Sequence, residues 1–418
     1  WPGTLGLAAA VMGDIARGGD AGLISRFAEI ARNEWDASGL KKGYMYMADT
    51  MTDPRWQRTY GTFGEDPELI SDIIGRLVDG FQNGSDGVQA DGVALTVKHF
   101  PGDGVDERDQ HLLTSVNYLS CEEWDKTYGK IYEEMIESGT LTVMAAHIAM
   151  PAYEEYFDKK PCEKIIPATL SENLMKHLLR EKLGFNGLIT TDATPMVGFC
   201  SAEERAKAVP LCIENGCDVI LFNRNMDEDM QYMFDGYKNG LLSEARLEEA
   251  VKRILATKAA MKLPQKKAEG ALVPGPEALD ILKCEKHDTW AKECADEGVT
   301  LVKDTQNLLP LNPEKQKRVL LEIMGDFPSN ERVTAYFKGK LEAEGFEVTV
   351  YEKEGFEVME DTVESFKSRY DLVLYLANIE TASNKTVSRL NWHTMFGLGN
   401  NMPWMVHELP VAFVSVGN

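Results

Sequence analysis

Polar residues directly follow four apolar runs of this sequence. Lys98 and His99 come after VALTV, His147 after LTVMAA, Asp192 after GLITT, and Asn223 after DVILF. Amine, imidazole and carboxylate groups can transfer protons, attack electrophilic atoms or hydrogen-bond a polar substrate. One such residue after a strand is usually a cap or a solvated turn residue. Four strands that end in this way indicate an active site.

The most polar segment of the chain lies behind the first of these runs. Residues 98–111, KHFPGDGVDERDQH, contain four acids and two histidines, together with Pro and Gly turn signals. A strand that leads directly into such a segment predicts a loop that carries reactive groups to the end of the sheet.

The elements that position these groups are apolar runs separated by segments of helical periodicity. The runs are GYMYMA (43–48), VALTVK (93–98), LTVMAAH (141–147), GLITTD (187–192) and DVILFN (218–223). Apolar strands that alternate with helices predict a parallel sheet covered on both faces, as a barrel or a doubly wound sheet. In a barrel, the carboxyl ends of the strands converge at one mouth.

A second domain is predicted after a segment rich in Pro and Gly, LPQKKAEGALVPGPEALD (263–280). Beyond it, VTLVKD, RVLLEIMG, FEVTVYE, DLVLYLAN and LPVAFVSVGN alternate with charged helical segments. We therefore expect a catalytic domain at 1–262, a linker at 263–284 and a smaller α/β domain at 285–418.

Composition limits the function classes. The 418 residues include 44 Lys and Arg against 67 Asp and Glu, and the net charge of −23 disfavours nucleic acid and anionic membranes as partners. Seven cysteines without CxxC spacing indicate neither a disulfide framework nor a zinc site. No run reaches the roughly 20 apolar residues of a membrane span, and the start, WPGTLGLAAAVMGD, lacks the pattern of a signal peptide. These features predict a soluble, cytoplasmic protein of undetermined oligomeric state.

Three long segments resemble glycoside hydrolase family 3, the family of β-glucosidases and β-N-acetylglucosaminidases. They are DPRWQRTYGTFGEDPEL (53–69), VKHFPGDG (97–104) and GFNGLITTDATPMVGF (184–199), in the family's order. The resemblance covers nearly the whole chain and implies an α/β fold, a TIM-like (β/α) barrel followed by an α/β sandwich. Only five of about eight barrel strands are readable. We therefore expect the barrel to be incomplete at its N-terminal side and the sandwich at its C-terminal side.

The resemblance assigns the chemistry to Asp192 and to a dyad. Retaining glycosidases need a carboxylate nucleophile close to a proton donor. Asp192 matches the nucleophile of the family's Ser/Thr-Asp motif, and nearby cations or hydrogen-bond donors should keep it ionised. Asp109 and His111 match the Asp-x-His of the β-N-acetylglucosaminidase branch, which implies His111 as acid/base and Asp109 as its orienting partner. Gly102 and Gly104 are expected to let this loop move over the sugar.

The same resemblance implies residues that bind the sugar. Lys98 and His99 match the family's Lys-His pair, which hydrogen-bonds sugar hydroxyls, and Arg58 fits a motif of the β-glucosidases. His147 is interpreted as a pocket residue, with a buried structural histidine as the alternative. Asp103 stands where the β-N-acetylglucosaminidase branch has a second histidine, and its role stays open.

The predicted function is that of a retaining exo-β-glycosidase. It would hydrolyse terminal β-N-acetylglucosaminides of a glycan or cell-wall fragment through a glycosyl-Asp intermediate, without cofactor or metal. A β-glucosidase would instead take its acid/base from Glu380. A β-N-acetylglucosaminide phosphorylase would use the same residues as the hydrolase, because a neutral imidazole does not repel phosphate as a carboxylate does. An inactive sugar-binding protein is the alternative from a different class.

Overall fold

The structure, a computed structural model, describes residues 3–84, 87–89, 91–325, 330–353, 355–379, 381–384 and 404–416. The chain divides into two compact units. The first comprises Trp1–Val299 with Ala382–Val387, and the second comprises Thr300–Thr381 with Ser388–Asn418. Glu380 lies outside the described residues.

A parallel sheet forms the centre of the first unit. The strands of this unit are β1 (Lys42–Gly43), β2 (Ala94–Phe100), β3 (Ser115–Val116), β4 (Thr142–Ala145), β5 (Ile148–Ala149), β6 (Leu188–Ala193) and β7 (Val219–Leu221). The central sheet has the order β1-β2-β4-β6-β7, and β3 pairs separately with β5. All of these pairs are parallel, so the carboxyl ends of the five central strands lie at one edge.

Helices connect these strands and cover the sheet. They are α1 (Thr4–Ala16), α2 (Gly22–Ala37), α3 (Pro67–Gln82), α4 (Cys121–Trp124), α5 (Lys130–Glu137), α6 (Pro151–Asp158), α7 (Val197–Cys200), α8 (Arg205–Glu214), α9 (Met226–Lys238), α10 (Glu244–Ala260), α11 (Leu263–Ala268) and α12 (Glu285–Gly298). Two π-helical segments, Asp125–Gly129 and Asn173–Lys182, complete the helices around α4 and α5 and before β6. This alternation of neighbouring parallel strands with helices is the connectivity of a TIM-like barrel.

Local sequence explains where α3, the helix before β2, begins and which face it buries. The side chain of Asp66 accepts a hydrogen bond from the backbone N–H of Glu68, and Pro67 occupies the first helical position. The helix then buries an apolar stripe at helical spacing, represented by Ile70 and Ile74. This stripe joins the same core as the alternate residues of β2, which leaves the end of β2 free to carry polar side chains.

The strands predicted at 93–98, 141–147, 187–192 and 218–223 are confirmed as β2, β4, β6 and β7. The run at 43–48 is paired over a shorter length than predicted. Regular pairing with β2 is limited to the two residues of β1. Further along the chain, Met47 forms an isolated parallel bridge with Lys98 of β2.

The division between the units lies later than the predicted linker at 263–284. That segment contains α11 and belongs to the first unit, which continues through α12. Trp290 and Cys294 of α12 join the core of the first unit, and the Trp290 ring stacks on Phe27 at 5.3 Å between centroids. A helix after a Pro- and Gly-rich segment carries no sign of which domain it will pack against, and here burial of these side chains decides it.

The second unit contains a four-stranded parallel sheet. Its strands are β8 (Arg318–Met324), β9 (Glu347–Val350), β10 (Leu372–Ala377) and β11 (Val411–Ser415), in the order β11-β10-β8-β9, with helices α13 (Asn330–Ala343) and α14 (Val363–Arg369). Alternate residues of β8 and β10 enter separate apolar clusters on the two faces of the sheet. The fold is therefore α/β, with a TIM-like unit followed by a sheet domain.

VTLVKD (299–304), predicted as a strand of the second domain, is not one. Val299, Leu301 and Val302 are largely exposed, and this segment takes part in none of the described sheets. Its alternating pattern is typical of a strand, but a strand needs a neighbour that satisfies its backbone groups. Across the described ranges of both units, no helix combines the length and the apolar character needed to cross a membrane.

Candidate active site

Asp192 lies at the carboxyl end of β6 and is buried. Its Oδ1 accepts the backbone N–H of Ala193 at 2.7 Å, whereas its Oδ2 has no hydrogen-bond partner in the described part of the chain. Burial by itself would raise the pKa of Asp192. The positive charge that the two neighbouring imidazoles carry when protonated, this backbone N–H and the Arg58 guanidinium outweigh burial, so the pKa lies below its ordinary value. Asp192 is thus held as a carboxylate with one unoccupied oxygen.

The end of β2 brings His99 against this oxygen. Nε2 of His99 lies 3.8 Å from Oδ2 of Asp192 and 3.4 Å from Nη2 of Arg58. Nδ1 of His99 lies 2.6 Å from Oδ2 of Asp49, which is fully buried. Burial, and then the Arg58 charge, lower the pKa of His99 to about 4, so the ring is neutral at physiological pH. The sequence predicts His99 as a site residue but gives no sign of its hydrogen bond with Asp49.

Arg58 and Lys98 supply positive charge at the same place. Nε and Nη1 of Arg58 are buried and have no hydrogen-bond partner among the described residues. Burial, and then the charge of Arg58, lower the pKa of Lys98, while Asp192 acts in the opposite direction. Buried donors without partners cost free energy unless a ligand or water satisfies them. This arrangement is therefore suited to a ligand rich in acceptor oxygens.

The Asp109–His111 pair forms a short turn in the loop after β2. Oδ1 of Asp109 accepts the backbone N–H of His111 at 2.9 Å and lies 2.7 Å from its Nδ1. Asp109 is buried, whereas 23% of the His111 side chain is exposed. Burial opposes ionisation of Asp109, but the hydrogen bonds from His111 outweigh burial and lower the pKa of Asp109. The carboxylate fixes Nδ1 as the protonated nitrogen and leaves Nε2 for proton exchange.

Backbone hydrogen bonds hold this loop beside the Asp192 strand. The carbonyl of Gln110 accepts the N–H of Gly198 at 3.0 Å, and the carbonyl of His111 accepts the N–H of Val197 at 3.3 Å. Both donors belong to α7, the helix that follows Asp192 within a few residues. The side chain of Gln110 in addition accepts the backbone N–H of His147. The structure therefore brings His111 of the dyad and Asp192, which are 81 positions apart in the sequence, to the same edge of the sheet.

His147 uses both ring nitrogens within the protein. Nδ1 lies 3.0 Å from the hydroxyl of Thr169, and Nε2 lies 3.0 Å from the carbonyl oxygen of Ala193. Burial lowers its pKa, and the nearby Asp192 opposes this effect. Of the two interpretations of His147, the geometry supports the buried residue, which holds the backbone next to Asp192.

The PGDG turn is tightly packed. Gly102 has a φ of +120° and Gly104 a φ of +99°, and a Cβ on either would lie 2.1 Å from the ring of Tyr128 or from the carbonyl oxygen of Thr50. The loop movement expected of these glycines is therefore not their role here, since both allow close packing in a left-handed conformation. Asp103, between them, donates its backbone N–H to Asp49 at 2.7 Å. Burial, and then Asp49, raise the pKa of its carboxyl group well above the ordinary value.

Several residues of this arrangement were not singled out as functional from the sequence. Gln110 and Thr169 orient His147, and Asn384, which clusters with the first unit, donates its backbone N–H to the second oxygen of Asp109. Asp49 follows the apolar run GYMYMA, and this was the one available signal. Across the described ranges, no three His, Cys, Asp or Glu side chains are grouped as metal ligands.

Comparison with known proteins identifies the family. The profile described as "Glycosyl hydrolase family 3 N terminal domain" matches residues 1–257. The chain belongs to glycosyl hydrolase family 3. Among family 3 relatives, it is 38% identical over 413 residues to a β-N-acetylglucosaminidase/β-glucosidase of Cellulomonas fimi, covering 97% of this chain and 71% of that protein. It is 31% identical to a periplasmic β-glucosidase/β-xylosidase of Dickeya chrysanthemi, covering 77% of this chain and 49% of that protein.

A solved family 3 structure is similar over almost the whole chain. The β-glucoside phosphorylase BglX bound to 2FGlc superposes with a TM-score of 0.89 at 38% identity, covering 99% of this chain and 71% of that protein. Family membership makes the chain a glycoside hydrolase by class, and carbohydrate is its substrate class.

Proposed function

We propose that this chain releases terminal β-linked N-acetylglucosamine or glucose from a glycan or glycoside through a covalent intermediate on Asp192. The observation that carries the proposal is Oδ2 of a buried, ionised Asp192, which has no hydrogen-bond partner among the described residues and lies beside the loop that contains His111. A carboxylate nucleophile and a proton donor on one substrate are the two requirements of a retaining glycosidase. The two-activity name of the Cellulomonas fimi relative supports both sugars as candidates.

The residues act in two steps. Oδ2 of Asp192 attacks the anomeric carbon, the bond from that carbon to the leaving oxygen breaks, and the His111 imidazolium gives its Nε2 proton to this oxygen. In the second step a water attacks the anomeric carbon, neutral His111 takes a proton from the water, and Asp192 leaves as a carboxylate. Asp109 keeps Nε2 as the nitrogen that exchanges the proton. Arg58, Lys98 and His99 bind the sugar hydroxyls.

Trapping the intermediate tests this proposal. We expect a 2-deoxy-2-fluoro-β-glucosyl fluoride to inactivate the enzyme with time and to add one sugar to the peptide that contains Asp192, as identified by mass spectrometry. A label on a different carboxylate would contradict Asp192 as the nucleophile. Binding of aryl glycosides without any turnover would instead support the inactive sugar-binding protein. Aryl β-glucosides and aryl β-N-acetylglucosaminides, compared by kcat/KM, decide between the two sugars.

Phosphorolysis is the second candidate, and two observations favour it. The proton donor of the proposed site is an imidazole, which carries no negative charge when it acts as a base and so does not repel phosphate. The similar structure BglX is named a β-glucoside phosphorylase. If phosphate replaces water, turnover should rise with phosphate but not with sulfate, and the product should be a sugar 1-phosphate. Free sugar as the sole product at saturating phosphate would leave hydrolysis as the function.

A further inference from the structure

Asp49 is a fully buried carboxylate, and both of its oxygens have hydrogen-bond partners. Oδ1 accepts the backbone N–H of His99 at 3.2 Å and that of Asp103 at 2.7 Å. Oδ2 lies 2.6 Å from Nδ1 of His99. Burial opposes its ionisation, but the imidazole and backbone donors outweigh burial and lower the pKa of Asp49. An ionised carboxylate only accepts hydrogen bonds, so Nδ1 of His99 carries the proton.

The second nitrogen of His99 is therefore an acceptor. A neutral ring with a protonated Nδ1 has a lone pair on Nε2. This atom points toward Nη2 of Arg58 at 3.4 Å and toward Oδ2 of Asp192 at 3.8 Å. The contact with Arg58 is at the long limit of a hydrogen bond, so Nε2 is still available to a shorter donor.

A sugar site needs such an acceptor. Each hydroxyl both donates and accepts, whereas the neighbouring arginine and lysine side chains only donate. The carboxylate of Asp192 has to remain free for attack on the anomeric carbon. An imidazole nitrogen accepts a hydroxyl proton without placing a second negative charge beside Asp192, so it meets this need at low electrostatic cost.

We propose that Asp49 is a positioning residue that fixes His99 as a hydrogen-bond acceptor for one hydroxyl group of the bound sugar. The inference rests on the proposed function, since it requires a sugar beside Asp192. It specifies which group donates in one hydrogen bond: the sugar hydroxyl donates and His99 accepts. Asp49 does not contact the sugar, but it determines which of the two donates.

Substitution of Asp49 by Asn should reverse the direction. Two backbone N–H groups face the Oδ1 position, so the amide oxygen of Asn will occupy it and the amide NH₂ will face Nδ1 of His99. Nδ1 then becomes the acceptor, and the proton moves to Nε2. Asp49→Asn is therefore expected to convert Nε2 from an acceptor to a donor toward the sugar.

The test uses phenyl 1-thio-β-glucosides and 1-thio-β-N-acetylglucosaminides as competitive inhibitors of aryl glycoside turnover. In each, one hydroxyl at a time is replaced by hydrogen or by fluorine, which accepts a hydrogen bond but cannot donate one. In the wild-type enzyme we expect one position at which both replacements weaken binding equally, by about three- to tenfold. His99→Ala should abolish the difference between parent and deoxy compounds at that position. In Asp49→Asn the fluoro compound modified at that position should bind at least about threefold more tightly than the corresponding deoxy compound.

Controls separate this proposal from its alternatives. Asp53→Asn, which alters a carboxylate that pairs with Arg55, should keep the wild-type pattern. The proposal is overturned if the fluoro compound binds better than the deoxy compound at the His99-dependent position of the wild-type enzyme, or if no position depends on His99. If no parent thioglycoside competes, the proposed function itself fails. Should Asp49→Asn not fold, long-range proton–nitrogen spectra of ¹⁵N-histidine-labelled wild-type protein decide, because a protonated Nε2 on neutral His99, assigned with His99→Ala, contradicts the proposal.

Discussion

Two buried carboxyl groups, one in each unit, show what distinguishes a reactive acid from a structural one. Asp192 ends β6 of the first unit, and Glu322 lies within β8 of the second. Both are almost inaccessible to solvent, at 8% and 1% exposure. Both also have oxygens without a hydrogen-bond partner in the described chain, Oδ2 of Asp192 and both oxygens of Glu322. Burial and unsatisfied oxygens are therefore common to the two.

The two groups differ in their surroundings, and their pKa values shift in opposite directions. Burial alone raises the pKa of Glu322 to about 8, and the hydroxyl of nearby Tyr351 has no hydrogen-bond partner among the described residues. At Asp192, imidazoles, a backbone N–H and Arg58 more than offset burial. The comparison teaches that a buried acid becomes a candidate nucleophile only where donors from several strand ends converge on it.

The largest expected effect comes from replacing Asp192 by its neutral amide, and the same change at Glu322 is the comparison. Asp192→Asn removes the attacking carboxylate, and we expect kcat for aryl glycosides to fall by roughly 10⁴-fold or more. Glu322→Gln is the matched substitution in the second unit and should leave kcat within about twofold of the wild-type value. Steady-state kinetics at pH 7 measures both. Comparable losses in the two variants would contradict the distinction between the acids.

The second largest effect is expected from substitutions in the Asp109–His111 dyad, and Asp106 in the same loop provides the control. Asp109 and Asp106 each accept the backbone N–H two residues ahead, of His111 and Arg108 respectively, but only Asp109 orients an imidazole. Asp109→Asn should lower kcat by about 10²- to 10⁴-fold for aryl glycosides with poor leaving groups, and His111→Ala by a similar factor. Asp106→Asn should change it by less than about threefold.

Leaving-group dependence sharpens this prediction. A dinitrophenyl leaving group needs little protonation, so its glycoside should lose much less rate in Asp109→Asn than a phenyl glycoside does. Equal losses for both glycosides, or equal losses in Asp109→Asn and Asp106→Asn, would show that the loop and not the dyad is responsible.

Sequence patterns predicted much of this site because its reactive groups follow directly from strand ends. Four of the five apolar runs became strands whose ends lie within two residues of the predicted ends, and parallel pairing alone brings Asp192 and His99 to one edge. The importance of Asp49 could not be predicted, because it depends on the backbone N–H groups of residues 99 and 103, which no pattern around Asp49 reveals. Two packing facts could not be predicted from the sequence: that α12 joins the first unit, and that VTLVKD pairs with none of the described strands.

Glu322 should make the stability of the chain depend on pH. Below pH 4.5 its side chain is neutral in folded and unfolded states alike. Between 4.5 and about 8 it ionises only on unfolding, so the free energy of unfolding falls as pH rises, by up to about 1.4 kcal/mol per unit. Glu322→Gln cannot ionise, so its free energy of unfolding does not fall in this way. We expect the variant to become more stable than the wild type as pH rises from 5 to 8, by a difference in the free energy of unfolding on the order of 3 kcal/mol. Calorimetry measures this as a difference in Tm.

An exposed carboxylate on the neighbouring strand provides the control. Glu347→Gln in β9 should change Tm by a small and nearly constant amount across the same pH range, because its side chain is exposed and pairs with Lys317 at the surface. A constant difference between Glu322→Gln and the wild type from pH 5 to pH 8 would mean that Glu322 is ionised in the folded state.

The smallest expected effect tests the source of the low pKa of Asp192. The Arg58 charge favours the ionised form, so Arg58→Met should raise the pKa of Asp192. Because the nucleophile must be ionised, activity will then be lost at a higher pH on acidification, so the acid limb of the pH profile of kcat/KM should move to higher pH. Arg55→Met, which removes an exposed arginine three residues earlier, should leave that limb in place. The position of the limb, and not the height of the profile, is the decisive measurement, since Arg58 is also proposed to bind the sugar. An unmoved limb would assign the low pKa to the imidazoles and the Ala193 N–H alone.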